Sequence, residues 1–183
     1  VLNRAKNIVF LAGGGVWSSD AQAEVIELAE RLEAPVAVAF AHGGLIPETH
    51  PLAVGRPEIS TYDEDNTVYN TLIAEADLLV ALGTTLGDRT TSRYDPKIIP
   101  AGLDIFQVDI DPLEIGKNYL VKMAVVGDLK LTLLLIHKEL EARGIRRKDP
   151  KSITKGHRIQ ELKQTERGWF LPQALSAATP IKR

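Results

Sequence analysis

One stretch of this chain decides the fold class: Phe106-Gln107-Val108-Asp109-Ile110-Asp111-Pro112-Leu113-Glu114-Ile115-Gly116-Lys117-Asn118. It begins as an apolar strand, ends in two carboxylates and continues into a turn that starts with proline. Open α/β sheets bind ligands beyond the carboxyl ends of their strands, where an acidic side chain can accept hydrogen bonds from a ribose. The stretch therefore predicts a nucleotide-binding type of sheet, with Asp109 as a candidate ligand residue.

The rest of the chain alternates short apolar runs with helical patterns, which is typical of a parallel sheet with helices on both faces. The spacing predicts strands over residues 7–12, 35–40, 77–82, 105–110 and 123–126. It predicts helices over residues 20–33, 65–75 and 128–143, with Asp128 as the N-cap of the last and Ser18, Ser19 or Asp20 as the cap of the first. The fold class is therefore α/β.

Composition limits the function classes. A chain of 183 residues is long enough for one well-buried domain. Its 24 acidic and 22 basic residues give a net charge of −2, so there is no bulk charge to attract nucleic acid or an anionic membrane. The absence of cysteine excludes disulfides and thiolate ligands, and the four scattered histidines predict no metal site. No apolar run is long enough to span a membrane and no signal-peptide pattern is seen, so we expect a cytoplasmic protein.

Three loops beyond predicted strands carry candidate ligand residues, and each has a structural alternative. The loop Gly13-Gly14-Gly15 can bring its backbone close to a phosphate, or it can make a tight turn from strand to helix. Thr84, Asp88 and Arg89 suit a pyrophosphate or a flavin ribityl chain, or they pair within the fold. Asp109 is either a ribose acceptor or a structural hydrogen-bonding residue at the strand end.

The order of the motifs resembles the central domain of thiamine diphosphate enzymes of the acetolactate synthase type. The resemblance rests on the glycine loop, on the segments at 43–52, 76–83 and 108–118, and on Val126-Gly127-Asp128. It covers residues 1–143, which we expect to form the central domain. Residues 144–183 resemble a linker or tail that leads towards a C-terminal diphosphate-binding domain.

This resemblance implies a Rossmann-like, three-layer parallel sheet of about six strands, of the DHS-like NAD/FAD-binding type. It also implies a larger parent enzyme, a transferase or lyase that acts on 2-oxo acids such as pyruvate. In such a parent, flanking pyrimidine- and diphosphate-binding domains hold thiamine diphosphate and Mg²⁺, and the whole forms a homo-oligomer. The central domain is then a scaffold, inactive alone, that holds FAD in acetolactate synthases, an ADP-like group in some relatives and no ligand in others.

Carried over motif by motif, the resemblance predicts a set of cofactor contacts and no catalytic residue. The predicted contacts are Gly13, Gly14, Gly15, His42, Gly43, Gly83, Thr84, Asp88, Arg89, Asp109, Ile110 and Asp128. Two segments depart from the pattern of FAD-binding members: residues 55–60, where Pro57 restricts the backbone and Glu58 adds an anion, and residues 84–87, which replace an Arg-Phe type pair.

Two other functions use the same residues. The chain is alternatively a free-standing module that binds NAD(P) or ADP through these loops. In a further alternative, the chain is a structural interaction domain without a ligand, which is expected if Pro57 and Glu58 fill the cleft.

Overall fold

The computed structural model describes residues 5–40, 42–57, 67–147, 149 and 152–164. In these parts, five strands are β1 (Ile8–Ala12), β2 (Val36–Val38), β3 (Leu78–Leu82), β4 (Asp104–Asp109) and β5 (Met123–Val126). Four helices are α1 (Gly14–Ser18), α2 (Gln22–Leu32), α3 (Thr67–Ala74) and α4 (Leu129–Ala142). A fifth, α5, covers residues 154–164.

The strands form one all-parallel sheet in the order β2-β1-β3-β4-β5. Beyond β2, a single parallel bridge joins Val36 to Ala53, and the Val38 N–H donates to the Gly55 carbonyl oxygen at 2.9 Å. This short pairing extends the sheet outward from β2, where a sixth strand would lie. The predicted α/β class is confirmed, with five strands and this bridge in the described residues.

The core consists of the central strands and the helices packed on them. All residues of β1 and β3 are buried, as expected for parallel strands that are covered on both faces. Helix α4 contacts both α1 and α2, so these three helices share one face of the sheet. The right-handed rule for parallel crossovers places α3 on the opposite face, because the chain moves from β2 back across β1 to β3.

The start of α2 differs from the prediction. Residues Gly14–Ser18 form a separate helical turn, and Ala21, which offers no capping side chain, is the N-cap of α2. Asp20 instead has φ of 50° and accepts a hydrogen bond from Lys130 on α4. The predicted cap at Ser18, Ser19 or Asp20 was therefore wrong, because a second helical turn takes up that part of the loop.

Helix α4 agrees with the prediction at its start and at its end, but packing continues beyond it. Asp128 caps the helix by accepting the Leu131 N–H at 2.9 Å. After the predicted domain boundary at residue 143, Ile153 and Ile159 are fully buried in the core. Arg147 donates to the buried carboxylate of Glu30. The boundary stays a prediction, although the packed unit runs past it.

Candidate functional site

The carboxyl ends of the strands bring the predicted loops to one edge of the sheet. The chain leaves β1 towards β2 on one side, whereas β3 leads to β4 and β5 on the other side. The space between β1 and β3 is therefore the point where the strand order reverses, which is where open α/β sheets bind their ligands. The loops after β1 and β3 lie on either side of it.

The glycines of the first loop are explained by contact with the third loop. A Cβ on Gly15 would lie 2.6 Å from Gly83 Cα, and one on Gly13 would lie 2.4 Å from the Gly83 carbonyl oxygen. The Gly13 and Gly15 N–H groups donate to the carbonyl oxygens of Leu82 and Gly83, both at 2.9 Å. Gly83 itself has φ of +56°, which favours glycine. Two of the three loop amides are thus used within the fold, which supports the packing alternative for Gly13 and Gly15.

The second loop closes over the first. His42 lies against Gly14, where an added Cβ would be 2.5 Å from His42 Nε2. The His42 Nδ1 atom lies 2.8 Å from the Phe40 carbonyl oxygen. The next residue, Gly43, is exposed and has open space around its Cα. His42 therefore forms a wall of the glycine loop, and Gly43 lies outside it.

Two guanidinium groups lie over one aromatic ring at this edge. The Arg89 Cζ is 5.7 Å from the centroid of Phe40, and the Arg56 Cζ is 5.8 Å from it. Such contacts are cation–π interactions, and they hold both positive groups near the end of β2. Phe40 also lies beside the third loop, because its N–H donates to Thr90 Oγ1 at 3.3 Å. Arg89 thus lies where the second and third loops meet, and both Arg89 and Asp88 are exposed.

The fourth loop, after β4, is folded around its own carboxylates. Asp109 Oδ1 accepts the Asp111 N–H at 3.1 Å, and Asp111 Oδ1 accepts the Leu113 N–H at 2.9 Å. Asp109 is partly exposed, and a carboxylate has room for further donors such as ribose hydroxyls. Ile110, with 70% of its surface exposed, borders it on the outside.

The fifth loop brings Asp128 beside the fourth. The Gly127 N–H donates to the Asp109 carbonyl oxygen at 2.9 Å. The Asp128 side chain, however, caps α4, so the structural alternative for this residue is realised.

Nearby in the fourth loop, Lys117 donates to Glu114 Oε1 at 2.7 Å, and this hydrogen bond raises the pKa of Lys117.

Sequence reasoning missed Gln107, which ties the third loop to the fourth. Its side chain lies in the middle of β4, is 1% exposed and bonds to both loops. A signal was present in the sequence. A polar residue between apolar neighbours of a strand buried on both faces needs hydrogen-bond partners, and these are found most readily at the strand's end.

A separate groove of the described surface lies away from this edge. A space of about 810 Å³ between α4 and β5 is lined mostly by apolar side chains such as Phe106, Val125 and Leu135, with charged residues at its rim. It begins near the amino ends of β3 and β4, so its position and its lining do not suit a nucleotide diphosphate. We place the candidate ligand site at the carboxyl edge, because the polar groups and the strand reversal are there.

The described residues contain no group of three or more histidines and carboxylates arranged to hold a metal ion. Among the helices of these same regions, none has the length and apolar content needed to cross a bilayer. Residues 58–60 and 165–183, which include Glu58, lie outside the described residues.

The fold and its loops therefore define a class of protein: an α/β domain with an all-parallel sheet and polar side chains on the loops at the carboxyl edge. A family model described as "Thiamine pyrophosphate enzyme, central domain" matches residues 1–136. The chain belongs to this family, as the resemblance of its motifs predicted.

Similar curated proteins agree with this assignment. The chain is 39% identical over 137 residues to a "Probable acetolactate synthase large subunit" of Methanococcus aeolicus, covering 75% of this chain and 22% of that protein. It is 37% identical over 156 residues to a protein of the same description from Methanocaldococcus jannaschii, covering 85% and 25%. A "Sulfoacetaldehyde acetyltransferase" of Roseovarius nubinhibens is 37% identical over 131 residues, covering 71% and 21%. The chain thus spans about a quarter or less of these relatives.

Proposed function

We propose that this chain is the nucleotide-binding central domain of a longer thiamine diphosphate enzyme that acts on 2-oxo acids such as pyruvate. The acetolactate synthase relatives, of which the chain spans only a part, support this class of parent. In the parent, flanking pyrimidine- and diphosphate-binding domains would bind thiamine diphosphate and Mg²⁺, and the parent would be a homo-oligomer. The central domain would hold these catalytic domains in place.

The ligand that we propose for the carboxyl edge is an adenine nucleotide, as ADP or as part of FAD. The observation that carries this proposal is Asp109, a partly exposed carboxylate at the end of β4, one strand from the point between β1 and β3 where the strand order reverses. A carboxylate in this position suits ribose hydroxyls. Arg89 adds a positive charge on the same edge, which suits a diphosphate.

The groups at this edge fit the adenosine half of such a ligand better than they fit a phosphate on the glycine loop, because the Asp109 carboxylate can accept from ribose hydroxyls while few glycine-loop amides are left to donate. Since Gly13 and Gly15 donate to the carbonyl oxygens of Leu82 and Gly83, Gly14 is the loop position whose amide remains for an anion among the described contacts. The nucleotide would therefore lie mainly along the third and fourth loops, with the glycine loop as a wall. Bound FAD would supply a flavin ring system, and the role proposed for this domain is to position it.

A domain without a ligand is the second candidate, and one observation favours it. The same two internal hydrogen bonds, of Gly13 and Gly15, already satisfy two of the three loop amides without any anion. The glycines then serve only to let the first and third loops touch.

A titration separates these candidates. Isothermal calorimetry on this chain with ADP, FAD and NAD should show saturable binding of ADP or FAD that Asp109→Ala abolishes. Asp104→Ala is the matched control, because Asp104 is the first residue of the same strand, at its opposite end, where it pairs with Lys122. No heat at millimolar concentrations of all three would favour the ligand-free scaffold, and binding of NAD alone would favour a free-standing NAD(P) module.

A further inference from the structure

The side chain of Gln107 is an unusual feature of β4, because a primary amide lies inside an otherwise apolar strand. Its neighbours Phe106 and Val108 are buried, and Gln107 itself is 1% exposed. A buried amide without partners is costly, so it is retained only where its hydrogen bonds are formed. Gln107 forms them with two different loops of the candidate site.

Three hydrogen bonds fix this amide. Gln107 Nε2 donates to the carbonyl oxygens of Thr84, at 3.2 Å, and of Glu114, at 3.1 Å. Gln107 Oε1 accepts the Gly116 N–H at 3.0 Å. The partners settle the orientation, because a flipped amide would set a donor against the Gly116 N–H and an acceptor against a carbonyl oxygen. One side chain thus joins the third loop to both sides of the turn in the fourth.

A second side chain, Asn118, also joins the fourth loop to the third. Asn118 Nδ2 donates to the Thr85 carbonyl oxygen at 2.9 Å, on the exposed side of the same junction. Gly116, between the two contacts, has φ of +68°, so the turn needs a conformation that glycine adopts without strain. The fourth loop is therefore held to the third loop at a buried point and at an exposed one.

We propose that Gln107 is a positioning residue that presents the third and fourth loops to the nucleotide in one fixed arrangement before it binds. This inference rests on the proposed function for its ligand, but the clamp itself does not. Asp109 lies two residues further along the same strand, at the base of the turn that Gln107 holds. A preformed site binds more tightly because the loops lose less conformational freedom on binding.

Two variants test the clamp by hydrogen exchange. Gln107→Met keeps the length of the side chain and removes all three hydrogen bonds, so the protection factor of the Gly116 amide should fall about tenfold or more. Gln107→Glu can accept from Gly116, but when ionised it sets negative oxygens against two carbonyl oxygens. Burial raises the pKa of such a carboxyl, so protection at Gly116 should be low at about pH 8.5 and partly restored at about pH 5.5.

A control and a binding measurement distinguish positioning from a general loss of stability. Tyr69→Phe removes another fully buried hydrogen bond, from Tyr69 to the Ile98 carbonyl oxygen at 2.8 Å, and leaves all three hydrogen bonds of Gln107 in place. Calorimetric titration with ADP should show at least a tenfold weaker affinity in Gln107→Met and an unchanged affinity in Tyr69→Phe, well below the unfolding temperature of each.

The outcomes are separable. Unchanged Gly116 protection in Gln107→Met, or pH-independent protection in Gln107→Glu, would overturn the clamp. A lost clamp with unchanged ADP affinity would overturn the positioning role. If the wild-type chain binds no ADP while Gly116 protection falls as expected, the clamp holds but the proposed ligand and with it the positioning role are refuted. If Gln107→Met does not fold, the pH response of Gln107→Glu still decides whether the clamp exists.

Discussion

The contact between the first and third loops makes a sharp prediction for Gly15→Ala. A methyl group there would lie 2.6 Å from Gly83 Cα and 3.2 Å from the Gly83 carbonyl oxygen. Both atoms belong to the backbone, so no flexible side chain can move aside. Overpacking of this kind costs typically about 1–3 kcal/mol.

For a domain of this size, each 1 kcal/mol lowers the melting temperature by about 2–4 °C, so a fall of about 2–12 °C is expected. Thermal and urea unfolding followed by circular dichroism would measure it. The matched control is Gly43→Ala, because a Cβ on Gly43 would meet nothing within 4 Å. Its unfolding free energy should stay within about 0.5 kcal/mol of the wild type, as is usual for a surface substitution.

Equal stability of Gly15→Ala and Gly43→Ala would mean that the first and third loops are not in contact. Gly83→Ala provides an independent check. Its Cβ would lie 2.5 Å from Gly15 Cα, and its φ of +56° adds backbone strain. It should therefore be at least as destabilising as Gly15→Ala.

Three further predictions concern stability. Asp128→Ala removes the cap of α4 and should cost about 1 kcal/mol in urea unfolding, whereas a loss below about 0.3 kcal/mol would mean that the cap is not formed. The hydrogen bond from Arg31 lowers the pKa of Glu27, so the stability that this pair contributes is fully present above the unfolded value of 4.5 and is lost as pH falls through the lower folded pKa. Glu27→Gln should reduce this loss of unfolding free energy at low pH, and an unchanged pH dependence of the unfolding free energy would count against the pair. Truncation after residue 143 removes two fully buried isoleucines and should destabilise the chain by about 3–6 kcal/mol, while unchanged unfolding would support a domain that ends there.

Local signals in the sequence predicted the elements whose patterns are complete within a few residues. Strand β5 has the predicted bounds, and α4 begins after Asp128, because both an apolar run and a capping residue can be recognised locally. The order of the motifs also identified the family.

What the sequence left open depends on contacts between distant segments. Nothing beside Gly13 and Gly15 indicates that Gly83, about seventy residues later, lies against them, so a phosphate loop and a packing loop look alike in sequence. The helical turn after Gly13 was missed for a related reason, because it is held by the hydrogen bond from the Gly15 N–H to the Gly83 carbonyl oxygen in the third loop. Asp128 illustrates a third limit: its type suits both a cap and a ligand, and only the position of Leu131 shows which role its side chain fills.

The central claim is that the carboxyl edge of the sheet binds an adenine nucleotide, and a hydrogen-exchange footprint tests it most directly. The measurement compares amide exchange of this chain with and without millimolar ADP, or FAD if calorimetry shows that it binds more tightly. If the nucleotide binds at this edge, peptides covering residues 83–90 and 109–118 should gain protection, and peptides from α4 and β5 should be unchanged. Saturating nucleotide that protects neither segment, or that protects only the groove between α4 and β5, would contradict it.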